Sequence, residues 1–140
     1  MSAKSEAVPV SDLPQELRYS EEHEWVRTSD DGTALIGITD FAQDQLGDIV
    51  YLSLPKAQAA VTQFGRIGEV ESVKSVSDLF SPVSGEVLEV NQDALDHPER
   101  INDDPYGQGW LLKVRLGSAV ELEKLLSAAQ YEQLLAAQDH

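Results

Sequence analysis

The stretch GEVESVKSVSD, residues 68–78, decides how this chain of 140 residues is interpreted. It places one lysine, Lys74, between short β-prone runs whose other members are acidic or small. A tight turn between two strands would hold this lysine in a definite place and project its amine into solvent. The pattern therefore favours Lys74 as an attachment point. However, the turn lacks the Asn-Gly or Gly-Gly pair of a two-residue hairpin, and an unmodified surface lysine is the alternative.

Composition limits the function classes. Cysteine is absent, so the chain can form no disulfide, thiolate nucleophile or Cys-ligated metal site. The formal net charge of -15 argues against nucleic acid as a partner, because its phosphates would repel the protein. The acidity suits partners with basic faces, or it merely keeps the protein in solution, and composition leaves both open.

Length and an apolar content of 41% suit one domain with a hydrophobic core. No apolar run approaches the roughly 18 residues of a membrane span, and the N-terminus lacks the features of a secretory signal or transit peptide. We therefore expect a cytoplasmic protein that binds no membrane. The polar start predicts a mobile N-terminal tail over residues 1–16, followed by a single domain over residues 17–140.

Many short β-prone runs, separated by Gly and Pro, predict a mostly β protein with a sandwich or barrel architecture. The tripeptide Gly-Glu-Val occurs at residues 68–70 and again at 85–87, which suggests a quasi-symmetric pair of hairpins. The predicted strands cover residues 24–28, 34–38, 49–54, 61–64, 67–73, 79–80, 83, 87–90 and 111–116.

Three capping boxes mark predicted helices. The sequence predicts a short helix that Gly47 ends, and a C-terminal helical segment over residues 118–138 that forms two helices or one broken near Ser127. The three boxes pair Asp40 with Gln43, Ser118 with Glu121, and Ser127 with Gln130.

No residue pattern indicates catalysis or metal binding. The histidines, His23, His97 and His140, are too far apart in the sequence to show ligand spacing. The acidic pair at 103–104 lacks the alternation of an EF-hand, and the Gly-Gln-Gly at 107–109 lacks the context of a phosphate loop. We therefore expect a protein that is not an enzyme and holds no metal.

From about Leu17 to about Leu135 the chain resembles the H proteins of the glycine cleavage system. Lipoyl and biotinyl domains of other enzymes share the hairpin but carry Asp-Lys-Ala or Met-Lys-Met around the lysine and lack the other blocks. The resemblance rests on RYSEEHEWV (18–26), GITDFA (37–42), LGDIV (46–50), ESVK (71–74), SPVSGEV (81–87) and NDDPYGQGWL (102–111).

This resemblance implies a lipoyl-domain-like barrel-sandwich hybrid of two small antiparallel sheets, with short helices notably at the C-terminus. It implies that Lys74 carries lipoate, attached by a lipoate ligase or octanoyltransferase. The arm would carry an aminomethyl group from a pyridoxal-phosphate-dependent glycine decarboxylase to a tetrahydrofolate-dependent aminomethyltransferase. A dihydrolipoamide dehydrogenase would then reoxidise the dithiol.

The resemblance also implies a surface cleft that shelters the loaded arm, with Glu24 and Asp78 as candidate cleft residues. A carboxylate there could hold the arm's ammonium by a charge-assisted hydrogen bond, whereas two solvated acids are the alternative. Phe41 stands where many relatives carry histidine and Gln45 where some do, which weakens any imidazole contribution to the cleft. Two other functions stay open: an H-like relay that donates lipoate to 2-oxoacid dehydrogenases, and an unmodified β-sandwich interaction module.

Overall fold

The computed structural model describes residues 13–138, which form two antiparallel sheets and several short helices. None of the helices in this range is long and apolar enough to cross a bilayer. The strands are β1 (Arg18–Tyr19), β2 (Glu24–Thr28), β3 (Thr33–Ile38), β4 (Ile49–Ser53), β5 (Ala60–Val61), β6 (Arg66–Ser72), β7 (Val76–Phe80), β8 (Gly85–Val90) and β9 (Leu112–Leu116). The helices are α1 (Asp40–Leu46), α2 (Gln92–Asp96), α3 (Glu99–Asp103) and α4 (Ala128–Gln138), with a 3₁₀ helix at Ala119–Lys124.

The larger sheet has six strands in the order β1-β2-β3-β9-β8-β5, and the smaller has three in the order β4-β6-β7. All strand pairings are antiparallel. The predicted fold class, two small antiparallel sheets with short helices and a C-terminal helix, is confirmed. Helices α2 and α3, which are only five residues each, were not predicted from the sequence.

The main hydrophobic core joins the inner faces of the two sheets. Val26 and Ile36 of the larger sheet and Leu52 and Val70 of the smaller one are all at most 3% exposed. The alternation along β6, where Val70 is buried between the outward-facing residues 69 and 71, reflects the two-residue period of a strand with one face on the core. This packing leaves the opposite face of the small sheet open to solvent.

A second cluster packs α4 against the larger sheet. Tyr131 stacks on Tyr19 with ring centroids 4.7 Å apart, and Trp25 is fully buried beside them. Leu13, which the sequence analysis placed in the N-terminal tail, is buried in this cluster. Residues 1–12 of that predicted tail lie outside the described residues, and the domain boundary at residue 17 stays a prediction.

Two of the three predicted capping boxes differ from the structure. The N-cap of α1 is Thr39, whose hydroxyl accepts from the backbone N–H of Ala42, so the box predicted at Asp40 is wrong by one residue. Asp40 instead accepts a 2.8 Å hydrogen bond from the Gln43 side chain within the first turn.

Of the two capping boxes predicted near the C-terminus, one is absent and one forms. The Ser118 side chain makes no capping bond, and the Glu121 carboxylate, instead of reaching back to Ser118, accepts from the backbone N–H and the hydroxyl of Ser84 across the fold. At α4 the predicted box forms: Ser127 N–H donates to the Gln130 side chain and Gln130 N–H donates to the Ser127 hydroxyl.

The repeated Gly-Glu-Val tripeptide has a packing cause. A Cβ on Gly68 would collide with the backbone carbonyl oxygen of Ser53 in the neighbouring β4, and one on Gly85 would collide with that of Arg115 in β9. In both sheets a glycine therefore lets an adjacent strand approach at a point where any side chain would push it away.

We predict that Gly68→Ala lowers the free energy of unfolding by about 1–3 kcal/mol, since the added methyl group has no room against fixed backbone. Urea denaturation measures this loss. Gly117→Ala is the control, because a Cβ there would lie 3.4 Å from its nearest neighbour, the Ser84 carbonyl oxygen. Equal losses in the two variants would contradict the packing argument.

Candidate functional site

Lys74 lies at the tip of the hairpin formed by β6 and β7. Glu71 opposes Val76 across the two strands, and the backbone N–H of Ser72 donates a 2.8 Å hydrogen bond to the Ser75 carbonyl to close the turn. The Lys74 side chain is exposed, as are its neighbours in the turn other than Ser72. The chain therefore does turn at Lys74, even though no Asn-Gly pair marks the position.

Ser72 takes the place of that missing turn signal. Its side chain is buried, and its hydroxyl accepts from the backbone N–H groups of Lys74 (3.2 Å) and Ser75 (3.1 Å). Serine commonly stabilises turns by bonding to backbone two residues further on. No role for Ser72 was predicted, although a serine two residues before the lysine was the available signal in the sequence.

The tip also rests on the loop that follows α1. Val73 N–H donates a 3.0 Å hydrogen bond to the Asp48 carbonyl. Gly47, with φ 83° and ψ -157°, adopts a backbone conformation that is essentially restricted to glycine. A Cβ on Gly47 would lie 3.5 Å from Lys74 Cε, so the lysine stem passes over bare backbone. Gly47 ends α1, as the sequence predicts, and also forms the floor under Lys74.

A cleft of about 490 Å³ opens beside the hairpin, between β7, α1 and the loop that precedes β2. Apolar side chains from β7 and α1 form part of its wall, and two acidic residues, Glu22 and Asp78, also line it. Its lining includes His23, Phe41, Leu46, Val76, Asp78 and Phe80.

Asp78 is the candidate that the structure places directly in the cleft wall. Its side chain is 49% exposed and lies 2.9 Å from Arg66 Nε, while Arg66 also pairs with Glu69 at 3.0 Å. Exposed ion pairs of this kind contribute little stability, about 0–1 kcal/mol. Asp78 can therefore exchange its arginine for another cation at small cost.

Glu24 lies beneath the cleft rather than in its lining. The side chain is only 2% exposed; one oxygen accepts from the Ser20 hydroxyl at 2.5 Å and the other accepts from the Phe80 backbone N–H at 3.1 Å. The carboxyl group thus joins the first residue of β2 to the edge strand β7 of the other sheet. Burial raises the pKa of Glu24 to about 7, so it is not a solvated acid.

His23 links the cleft to the C-terminal helix. Its Nδ1 lies 2.8 Å from the Tyr131 hydroxyl, which also lies 2.7 Å from the hydroxyl of Thr39, the N-cap of α1. The ring packs against Phe41 with centroids 4.9 Å apart, and burial lowers the pKa of the imidazole. His23 therefore holds the cleft wall as a neutral group, and α4 supports that wall from behind. Sequence reasoning did not find this network, because its members are far apart in the chain.

Comparison with known proteins agrees with this geometry. The sequence profile of the family described as "Glycine cleavage H-protein" matches residues 17–138. This chain belongs to the glycine cleavage H-protein family. Within residues 13–138 of this family member, no three His, Asp or Glu side chains are grouped so that they could hold a metal ion.

Similar sequences and a similar structure carry the same family name. The glycine cleavage system H protein of Marinobacter nauticus is 52% identical over 130 residues, 93% of this chain and 100% of the relative. That of Carboxydothermus hydrogenoformans is 48% identical over 126 residues, 90% of this chain and 96% of the relative. The crystal structure of a Mycobacterium marinum glycine cleavage system H protein superposes with a TM-score of 0.78 at 39% identity, covering 91% of this chain and 98% of that one.

The burial of Glu24 predicts that it makes this H-protein family member less stable as the pH rises from about 4.5 to about 7. The folded protein holds the carboxyl proton up to a pKa of about 7, whereas the ordinary value is 4.5, so in this window the folded state binds more protons than the unfolded state. The stabilising effect of the neutral carboxyl is present below pH 4.5 and is lost as the pH rises through 7.

Glu24→Gln isolates this effect, because an amide keeps one acceptor for Phe80 and cannot titrate. We expect the unfolding free energy of the native protein, relative to that of Glu24→Gln, to fall by roughly 3 kcal/mol between pH 4 and pH 8. Denaturant titrations across this range measure the difference. Parallel stability curves for the two proteins would rule out a titrating Glu24.

Proposed function

We propose that this protein is a lipoylated carrier of the glycine cleavage system and that Lys74 is the residue that bears the lipoyl group. The observation that carries the proposal is an exposed Lys74 amine, held at a fixed hairpin tip beside a partly apolar cleft. Family membership supports the same function. The role is that of a carrier component and not of a catalyst.

The residues around Lys74 fit such a group. The amine is accessible to a lipoate ligase or octanoyltransferase, and the lysine stem lies over Gly47, where no side chain obstructs it. Amide formation at Nζ removes the ammonium charge, which suits an arm that folds against the apolar part of the cleft wall. When bound, the lipoyl group supplies the disulfide that accepts an aminomethyl group, since the chain has no cysteine of its own.

The chain contributes tethering and presentation. A flexible arm on a docked carrier raises the local concentration of its reactive end at each active site. We propose three such sites: a pyridoxal-phosphate-dependent glycine decarboxylase, an aminomethyltransferase and a dihydrolipoamide dehydrogenase. The net charge of -15 supports docking on basic faces. The cytoplasmic location stays a prediction.

Within the cleft we propose different roles for the two candidate acids. Asp78 lies in the wall with its carboxylate exposed, which supports a direct hydrogen bond to the carried amine. Glu24 bonds to the backbone of Phe80, which supports a role in fixing the wall rather than in contacting the arm.

Replacement of Lys74 by arginine tests the attachment. We expect native protein to carry the mass of one lipoyl group and Lys74→Arg to carry none, with complete loss of glycine decarboxylation in the presence of the three partner enzymes. Lys56→Arg, at another exposed lysine, is the control and should behave as the native protein does. If Lys74→Arg retains function, the chain is an unmodified interaction module instead.

Removal of the Asp78 charge tests the cleft. Asp78→Asn should speed the loss of the carried aminomethyl group to water by roughly fivefold, because it weakens a contact of about 1 kcal/mol. Release of the amine from loaded protein, followed over time, measures the rate.

Asp93→Asn is the matched control for this measurement. Asp93 also lies 2.9 Å from an arginine Nε, that of Arg100, and is 50% exposed, but it sits on α2 and not in the cleft wall. Equal rates in the two variants would remove Asp78 from the cleft hypothesis.

A further inference from the structure

Asn102, in α3, holds the loop on which the hairpin tip rests. Its Nδ2 donates to the Gln43 side-chain oxygen at 2.8 Å and to the Gly47 carbonyl at 3.0 Å. Its Oδ1 accepts from the backbone N–H of Ile49 at 2.9 Å. One amide therefore fastens the last turn of α1, the residue after it and the first residue of β4.

The loop that Asn102 fastens is in direct contact with the modification site. Gly47 lies under the Lys74 stem, and the Asp48 carbonyl accepts the hydrogen bond from Val73 N–H. A continuous series of contacts thus leads from Asn102 through residues 47–49 to the hairpin tip. A shift of the loop would therefore move two contacts of the hairpin tip together: Gly47 beneath the Lys74 stem and the Asp48 carbonyl that accepts from Val73 N–H.

We propose that Asn102 is a positioning residue for the acylation of Lys74. By fixing residues 47–49, it determines the position of the Lys74 amine relative to the surface that an acylating enzyme binds. This inference rests on the proposed function, in which Lys74 is lipoylated. Its physical basis is that small displacements of a reacting atom lower rates steeply, since the catalytic geometry tolerates about 1 Å or less.

The chemistry of the site requires an amide at this position. The two acceptors, on Gln43 and Gly47, need N–H donors, and the Ile49 N–H needs an acceptor, so both halves of the amide are used. An aspartate has nearly the same shape and keeps the acceptor. It loses both donors and sets a carboxylate oxygen against the Gly47 carbonyl.

Asn91 offers a matched comparison within the same chain. Its Nδ2 donates to two carbonyls, of Gln108 at 2.9 Å and Trp110 at 2.6 Å, and its Oδ1 accepts from the Ala94 N–H at 3.3 Å. Like Asn102, the side chain donates two hydrogen bonds and accepts one from a backbone N–H, although both of its acceptors are backbone carbonyls. Its partners, however, belong to α2 and to the segment before β9, and none of the three bonds reaches residues 47–49 or the hairpin.

The test compares Asn102→Asp with Asn91→Asp in unmodified full-length protein. A lipoate–protein ligase, supplied with lipoate and ATP, acylates each variant, and intact mass measures the rate over a range of carrier concentrations. We expect kcat/KM to fall roughly tenfold for Asn102→Asp and to stay within about twofold of the native value for Asn91→Asp.

Amide hydrogen exchange gives a readout that does not depend on the ligase. In Asn102→Asp the Val73 N–H should exchange faster than in native protein, while the β2–β3 amides keep their protection; in Asn91→Asp the Val73 N–H should be unchanged. If Asn102→Asp does not fold, Gln43→Met removes one of the three bonds and should give a smaller loss in the same direction.

The outcomes separate this inference from the proposed function. If native protein is not acylated at Lys74, the proposed function fails. If native protein is acylated and Asn102→Asp is acylated equally well, the positioning role of Asn102 is overturned. Equal losses in Asn102→Asp and Asn91→Asp would overturn it too, because the effect would then be one of general stability.

Discussion

The hydrogen bond from Val73 N–H to the Asp48 carbonyl fixes the exposed hairpin tip to the body of the protein, and the geometry around Lys74 depends on it. In the proposed function Lys74 must be exposed to a modifying enzyme, yet a long side chain on an exposed turn has no packing to fix it. The restraint lies in the backbone beside Lys74, while the lysine side chain stays exposed. Ser72 holds the turn from within, and the loop at residues 47–49 holds it from the body of the protein.

A second constraint comes from the edge of the small sheet. Among residues 13–138, β7 pairs only with β6 in that sheet, so the backbone groups on its other side need partners outside the ladder. Glu24 supplies one by accepting from Phe80 N–H, and in doing so it ties the small sheet to the large one. The cost is a buried carboxyl whose charged form is disfavoured, which is why its pKa is raised to about 7. The rigid cleft wall is thus obtained at the expense of stability at higher pH.

The sequence predicted most of the strands, because alternation and flanking Gly or Pro are local signals. β2 was predicted with its observed bounds, and β3, β4 and β9 differ by a residue at one end. The hairpin at Lys74 depended on resemblance, since Ser72 is a weaker turn signal than Asn-Gly. Helices α2 and α3 escaped prediction because five residues complete little more than one turn and show no helical periodicity.

The site itself was only partly predictable, for a physical reason. Lys74, Glu24 and Asp78 could be named from motifs, but their surroundings depend on bonds between residues that are distant in the chain. His23 belongs to the block at 18–26, Gly47 to that at 46–50, and Asn102 to that at 102–111. Three of the blocks that carry the family resemblance thus converge around the hairpin that contains the fourth. Because an isolated hairpin could not fix its own tip so firmly, the resemblance has to extend over nearly the whole chain and not over the lysine segment alone.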